Sequence, residues 1–174
     1  MVIFTSDNGL FLGEHQLRFK KLMYEESIRV PLIIRYPKFV PAGTIRTEIV
    51  ASIDIAPTLL HIAGVDVPDT VQGHSLLPLL KNEAVNWRKS LLYEYFADRM
   101  YPGIPTILGV RTERWKYIIT PDFPEDIDEL YDLQNDPNEL VNLVSNPQYT
   151  DVLATMQAEL TRQLQATNYT AHTE

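Results

Sequence analysis

"TSDNGLFLGEHQLRFKKLMYEESIRVPLIIRYP", residues 5–37, decides how this chain is read. It begins at the end of Val2 to Thr5, an apolar and β-branched run with the composition of a buried strand. The run breaks at Asp7-Asn8-Gly9, and the break has two readings. Asn-Gly between apolar residues signals a hairpin, because both residues tolerate positive φ. Asp-Asn at a strand end is also a pair of hard oxygen donors, suited to Ca²⁺ or Mg²⁺ and poorly suited to zinc. Two adjacent side chains do not complete a calcium site, which takes roughly 6 to 8 oxygens. Taken alone, the tight turn is the more ordinary reading.

Working outward, residues 9–29 show no sustained period and read as a long loop with a short helical turn. Loops of that length inside a domain are usually functional, and a direct hairpin would pair the flanking strands without one. Lys20 and Lys21 are compact cations that suit an anionic oxygen, although most lysines are simply solvated. His15 suits a general acid or an anion contact, and equally a loop histidine capping a carbonyl. Glu25 and Glu26 are adjacent and form no obvious acid/base pair. At least one is expected to pair with Arg18, Lys20 or Arg29.

Val30 to Pro37 reads as a second strand, with prolines at its start and stop. Arg46 to Ala51 reads as a third, partly exposed one. Asp54 is placed to cap a helix running to Ala63, with Gly64 as the C′ residue and Ile55, Leu59, Ile62 and Ala63 on one face. Gly73 to Leu80 is a loop leading into a short apolar turn. Its His74 is a candidate substrate contact at the mouth of a site, His61 reads as structural, and His172 lies in the tail.

From Trp87 the character changes. Leu91–Phe96, the two halves of Thr106–Thr120 around a sharp turn near Glu113, and Glu129–Leu133 read as antiparallel strands. Asn135 to Glu139 is turn chemistry. A last helix from about Thr150 carries Leu153, Met156, Leu160 and Leu164 as one apolar stripe. Tyr93, Tyr95, Tyr101, Trp115 and Tyr117 are expected mostly to pack under that helix. Arg111 and Arg114 are expected in an ion pair with Glu113 or an acidic loop rather than facing an anion.

The composition bounds the function. The chain has 174 residues, 45% hydrophobic and 22% charged, which suits one globular unit or a domain with a small appendage. With 15 basic and 23 acidic residues and no Lys/Arg-rich run, nothing points to nucleic acid. There is no cysteine, so disulfides, thiolate metal sites and a cysteine nucleophile are excluded within this chain. No apolar run approaches the ~20 residues of a membrane span. Met1 leads directly into a strand-like run rather than a signal-peptide pattern, and the sequence leaves localisation open.

In their order, T-S-D-N-G, L-G-E-H, a following lysine, Y-E-E-S and a V-P-L strand ending in Y-P resemble the sulfatase family of the alkaline phosphatase superfamily. "SIDIAPTLLHIAG" (52–64), "QGHSLLPLL" (72–80), "GVRTERWKYI" (109–118) and "ELYDLQNDPNELVNL" (129–143) continue the resemblance over most of the chain. It implies an α/β fold: the C-terminal part of an alkaline-phosphatase-like sandwich, then a small antiparallel sheet packed on a C-terminal helix. Residues 1–86 would be the incomplete C-terminal portion of the catalytic domain and residues 87–174 the C-terminal subdomain.

The activity implied is hydrolysis of sulfate esters or sulfamates of a small molecule or glycan, with Ca²⁺. Asp7 and Asn8 would be metal ligands and Lys20 the sulfate contact, with Lys21 its neighbour; His15 matches a recurrent position. The resemblance also implies a formylglycine nucleophile, made from the first residue of C/S-x-P-x-R. Only Ser145 has proline two residues on, and there Tyr149 replaces the arginine, so that motif is absent and the chain alone is expected to be inactive. The paired aspartates that would complete the calcium site have no counterpart either. The chain is therefore expected to begin at a central parallel strand lacking its neighbours, and to be poorly soluble or self-associate through Val2–Thr5 and Val30–Tyr36. Phosphodiesterases, phosphonate hydrolases and phosphoethanolamine transferases share the Asp-x-Gly strand end and form an alternative, as does a non-catalytic carbohydrate-binding remnant.

Overall fold

A computed structural model describes residues 1–123 and 125–169; His172 lies outside them. In chain order the strands and helices are β1 (Val2–Phe4), β2 (Phe11–Leu12), β3 (Arg18–Phe19), α1 (Glu25–Ile28), β4 (Ile33–Arg35), α2 (Ile55–Ala63) and α3 (Leu77–Leu80). Then follow β5 (Ser90–Tyr95), β6 (Ile107–Thr112), β7 (Trp115–Ile119), β8 (Glu129–Asp132) and α4 (Thr150–Ala166). They form two units, one of Met1–Asp7 with Val30–Lys89, the other of Asn8–Arg29 with Ser90–Glu174.

In the first unit β1 and β4 pair antiparallel, with Val2 opposite Arg35 and Phe4 opposite Ile33. The first strand, expected to be a parallel strand lacking neighbours, thus has β4 as an antiparallel neighbour. A parallel pair needs a crossover, usually a helix, and the only α-helix between these strands is the single turn α1. Val2, Phe4 and Ile33 are exposed on this two-stranded ribbon. The core is built on Leu76, Leu79 and Leu80, which pack with Leu32, Ile34 of β4, Val40, Val50 and Trp87.

The expected strand at 46–51 does not form, because side chains take its backbone groups instead of a ladder. Thr47 N–H donates to Glu48 Oε2 at 3.1 Å, Trp87 Nε1 donates to the Ile49 carbonyl at 2.7 Å, and Ala51 N–H donates to Asp54 Oδ2 at 2.8 Å.

Helix α2 ends where the sequence places its end. Gly64 adopts φ 72°, and Val65 N–H returns to the Leu60 carbonyl at 3.0 Å. Its buried face is not the predicted one. Pro57 and Thr58 face inward and Leu59 is exposed. Polar anchoring sets the rotation, since the Thr58 hydroxyl donates to the Asp54 carbonyl at 2.6 Å and accepts from Leu76 N–H at 2.8 Å.

The second unit is built on the antiparallel meander β5-β6-β7-β8. Helix α4 covers one face, burying Met156 and Leu160 against Val110, Tyr117 and Leu130, with Leu153 and Leu164 at the margin. Alternation along each strand sends the neighbouring side chains to the other face. There Ile107, Ile118 and Tyr131 enclose Met23, and Tyr24, Tyr93 and Tyr95 pack around them. The aromatic set is therefore split: Trp115 and Tyr117 lie under α4, Tyr93 and Tyr95 lie opposite, and Tyr101 is exposed. Gly109 makes room for Met23, whose Sδ would stand 2.3 Å from a Cβ there. Residues 9–29 are more ordered than a loop. They hold the β2–β3 hairpin, a 3₁₀ turn at Glu14–Gln16 and α1.

Candidate functional site

The site is built from the Asp7-Asn8-Gly9 break upward. The hairpin reading fails on two counts. β1 and β2 do not pair with each other, and neither Asn8 nor Gly9 has positive φ. Glycine is required there for close approach. A Cβ on Gly9 would stand 2.0 Å from the Glu26 carbonyl oxygen, and Gly9 N–H donates to the Ser27 carbonyl at 2.8 Å. This seats Asn8 against the Y-E-E-S turn. Its Nδ2 donates to the Gly9 carbonyl at 2.7 Å, and Lys20 Nζ donates to its Oδ1 at 2.7 Å. Two residues singled out from sequence, twelve positions apart, thus meet directly. Asp7 ends the first unit's N-terminal segment, where its Oδ1 accepts from the Ser6 hydroxyl at 3.2 Å.

The backbone on both sides of Lys20 has positive φ. Lys21 adopts φ 96° and the preceding Phe19 φ 73°, conformations that non-glycine residues adopt only when surrounding contacts enforce them. Lys21 N–H donates to Ser27 Oγ at 3.2 Å, and its carbonyl accepts from Tyr93 OH at 2.7 Å. Its Nζ donates to Tyr95 OH at 3.1 Å and lies 2.9 Å from the Tyr101 ring centroid.

His15 sits at φ 51° with its ring stacked on Tyr24 at 4.2 Å and edge-on to Phe11 at 6.2 Å. Its Nε2 is 3.5 Å from Glu26 Oε2. Glu26 therefore pairs with His15, and Glu25 pairs with Arg111 and Lys116; neither follows the predicted pairing with Arg18, Lys20 or Arg29.

A cluster of buried charge lies behind this turn. Lys116, wholly buried, places Nζ 2.6 Å from Glu139 Oε1, 2.9 Å from Glu25 Oε1 and 2.8 Å from the Met23 carbonyl. Glu139 Oε2 accepts from Glu25 N–H at 2.7 Å, and Arg111 forks onto both Glu25 oxygens at 3.0 and 3.1 Å. Burial pushes the Glu25 carboxyl up, but Arg111 and Lys116 outweigh it and hold it at about 2. For Glu139 burial wins over the attraction of Lys116, and its carboxyl is raised.

In the sequence Glu139 reads only as part of a turn, and Lys116 does not stand out. The available signal was alternation: with Trp115 and Tyr117 on one apolar face, Lys116 must point to the other and needs a partner there. Arg111 and Arg114 are both ion-paired, as expected, but Arg111 with Glu25 and neither with Glu113. Arg114 instead donates to both Asp132 oxygens at 2.9 and 2.7 Å, which, with Asn135, holds that carboxyl at about 2.

In the first unit, Asp54 is fully buried and does not cap the α2 backbone as expected. Its carboxylate accepts from Ala51 N–H, from His74 N–H at 2.8 Å and from both Arg88 Nη atoms at 2.5 and 2.6 Å. Arg88 Nη2 also lies 2.5 Å from His74 Nδ1. Arginine has donors only, so Nδ1 accepts and the neutral imidazole carries its proton on Nε2. Gly73 permits this loop, because a Cβ would stand 2.0 Å from the Ile53 carbonyl oxygen. His61 Nδ1 is hydrogen-bonded to Ser75 Oγ at 3.0 Å, a local tie.

Among the described residues no group of three or more His, Asp or Glu side chains is placed to hold a metal ion. Among them, too, no helix is long and apolar enough to cross a membrane.

Residues 13–166 match the family described as N-sulphoglucosamine sulphohydrolase, C-terminal. The chain is 42% identical to the N-acetylglucosamine-6-O-sulfatase of Bacteroides thetaiotaomicron over 96% of its own length and 30% of that protein's. Its fold matches BT4656, solved in complex with its substrate D-glucosamine-2-N,6-O-disulfate, with TM-score 0.87 and 38% identity, covering 94% of this chain and 33% of that one. It also matches the phosphonate monoester hydrolase of Agrobacterium radiobacter, with TM-score 0.81 and 31% identity, covering 96% of this chain and 35% of that one. The chain thus spans about a third of the length of these relatives. With an α/β chain whose small antiparallel sheet packs on a C-terminal helix, and with motifs matched along nearly its whole length, this protein belongs to the sulfatase family and corresponds to the family's C-terminal region.

Proposed function

We propose that this chain contributes part of the sulfate-binding and metal-binding apparatus of an enzyme that hydrolyses sulfate esters or sulfamates of a sulfated glycan or small molecule. The observation that carries the reading is the 2.7 Å contact between Lys20 Nζ and Asn8 Oδ1. It joins the residue proposed to meet the sulfate to a residue proposed to meet the metal. Residues 1–86 are read as catalytic-domain sequence and 87–174 as the C-terminal subdomain. The relative bound to a disulfated glucosamine supports an amino-sugar sulfate as the substrate class.

The donor chemistry of Asp7 and Asn8 fits Ca²⁺ in kind: one carboxylate and one carboxamide, both hard oxygen ligands. When bound, the ion would supply charge stabilisation to sulfuryl oxygens. The two side chains supply only part of the coordination, so further ligands and the formylglycine nucleophile must come from outside these 174 residues. Lys20 would place its ammonium against a sulfate oxygen. His15, packed between Tyr24, Phe11 and Glu26, would support the turn, with any contact to substrate a secondary role. His74 would present Nε2–H as a hydrogen-bond donor to substrate.

The test places the chain in a polypeptide that also carries a C/S-x-P-x-R segment and assays sulfate release from glucosamine 6-sulfate with and without chelator. Turnover restored by Ca²⁺ and lowered about 100-fold in Lys20→Ala supports the reading. Turnover by the isolated chain, or a Lys20→Ala enzyme as active as wild type, overturns it. A second reading, phosphonate or phosphate-ester hydrolysis, is favoured by the likeness to the Agrobacterium enzyme. It predicts zinc or manganese in place of calcium and preference for a phosphonate monoester.

A further inference from the structure

We infer that Lys21, fastened by Ser27, Tyr93, Tyr95 and Tyr101, is the positioning element that holds Lys20 against Asn8. The inference rests on the proposed role of Lys20 and Asn8.

Three observations lead to it. First, Lys20 is flanked by non-glycine residues with φ 73° and 96°, so the backbone here is held in a conformation that side-chain-bearing residues rarely adopt. Something must over-determine it. Second, Lys21 is held at every polar group it has: N–H on Ser27 Oγ, carbonyl on Tyr93 OH, and Nζ on Tyr95 OH and the Tyr101 ring. These contacts fix its backbone, and with it the direction in which Lys20 leaves the chain.

Third, Ser27 anchors both partners of the candidate site. Its carbonyl takes Gly9 N–H, beside Asn8, and its hydroxyl takes Lys21 N–H, beside Lys20. Ser27 is buried, so one rigid residue sets the separation of the two strips of chain. A reacting group displaced by about 1 Å loses up to about 100-fold in rate, which gives such a clamp a function beyond packing. The tyrosines serve different ends of the lysine: Tyr93 holds the backbone, while Tyr95 and Tyr101 enclose the ammonium, so that Lys21 is withheld from substrate and Lys20 presented to it.

The experiment follows the lysine ε-methylene NMR signals of the 174-residue chain labelled with [13Cε]lysine. Lys20 and Lys21 are assigned by Lys20→Arg and Lys21→Arg. The wild-type Lys21 signal should be shifted upfield by the Tyr101 ring and released in Tyr101→Leu. Tyr93→Phe, which removes one hydroxyl and leaves the ring, and Ser27→Ala should each move the Lys20 signal toward that of free lysine in a chain that still unfolds cooperatively, with a midpoint lowered by no more than the loss of one hydrogen bond. In the sulfate-releasing polypeptide assayed above the same two variants should lower kcat about 10-fold with little change in KM.

A Lys20 signal that stays at its wild-type position in Tyr93→Phe overturns the inference. So does a kcat that stays at wild type while that signal moves. If the wild-type enzyme releases no sulfate, or Lys20→Ala is fully active, the functional reading fails instead. The NMR arm still decides whether Lys21 positions Lys20.

Discussion

Lys116 Nζ lies 2.6 Å from Glu139 Oε1, and neither side chain has any exposed surface. The two residues sit on β7 and in the Asp136-Pro137-Asn138-Glu139 turn, and through Glu25 they tie both to the Y-E-E-S segment. What reads as a set of family signatures is, at this point, one clasp of buried charge. Removing one member of such a cluster strands the others without solvent.

Lys116→Ala is therefore expected to destabilise the chain by about 3–5 kcal/mol, because Glu25 and Glu139 lose the cation between them. Lys116→Met, similar in length, should cost nearly as much for the same reason. Urea unfolding followed by tryptophan fluorescence measures it, and a midpoint within error of wild type would show the cluster to be dispensable.

Stability should fall with acid in a defined window. The carboxyls of Glu25 and Asp132 are depressed to about 2 from ordinary values of 4.5 and 3.8. A depressed folded-state value means that the unfolded chain binds protons more readily, so the stabilisation is complete above about pH 4.5. It is lost as pH falls toward 2. Glu25→Gln should lower stability at neutral pH and flatten the slope in that window. Melting midpoints of the two proteins at several pH values test this, and parallel curves would exclude Glu25 as a source of the acid sensitivity.

Gly9→Ala and Gly13→Ala should both destabilise, for different reasons. At Gly9 a methyl group would collide with the Glu26 carbonyl and displace the Gly9–Ser27 hydrogen bond. At Gly13 there is space, but φ is 133°. A loss of about 2 kcal/mol or more is expected at Gly9 and about 1–3 kcal/mol at Gly13. Only Gly9→Ala should alter the Asn8 side-chain amide resonances, since only it moves the backbone beside Asn8.

The β1–β4 ribbon is proposed as a route to self-association. Val2, Phe4 and Ile33 are each about 60% exposed on a sheet of two strands, and exposed apolar strand edges recruit other chains. Sedimentation velocity of the isolated chain should show concentration-dependent association that Phe4→Ser with Ile33→Thr reduces. A wild-type chain that stays monomeric across concentrations would count against it.

The sequence was most legible where one local rule acts alone. The meander was readable because strands and turns alternate regularly from Leu91 to Leu133, and α4 because four apolar residues recur at helical spacing. It was least legible where a distant polar partner decides. Thr58 and Asp54 rotate α2 away from its apolar stripe through bonds to Leu76 and Arg88. Residues 46–51 look like a strand until Trp87 and Asp54 take their backbone groups.

By itself the sequence determined which residues carry the chemistry to be tested. Asp7, Asn8, Lys20, His15 and His74 are oxygen donors, a cation and imidazoles, whatever the fold does with them. It also determined the family, because ordered motifs survive as a linear pattern. Only the tertiary structure decided which of them meet. Asn8 and Lys20 touch because Gly9 has no side chain to keep the backbone away from Ser27, and because Lys21 is held in a conformation that it would not adopt unaided. Contacts of that kind are made by residues apart in sequence, each satisfying a polar group of another. No local propensity records such a requirement.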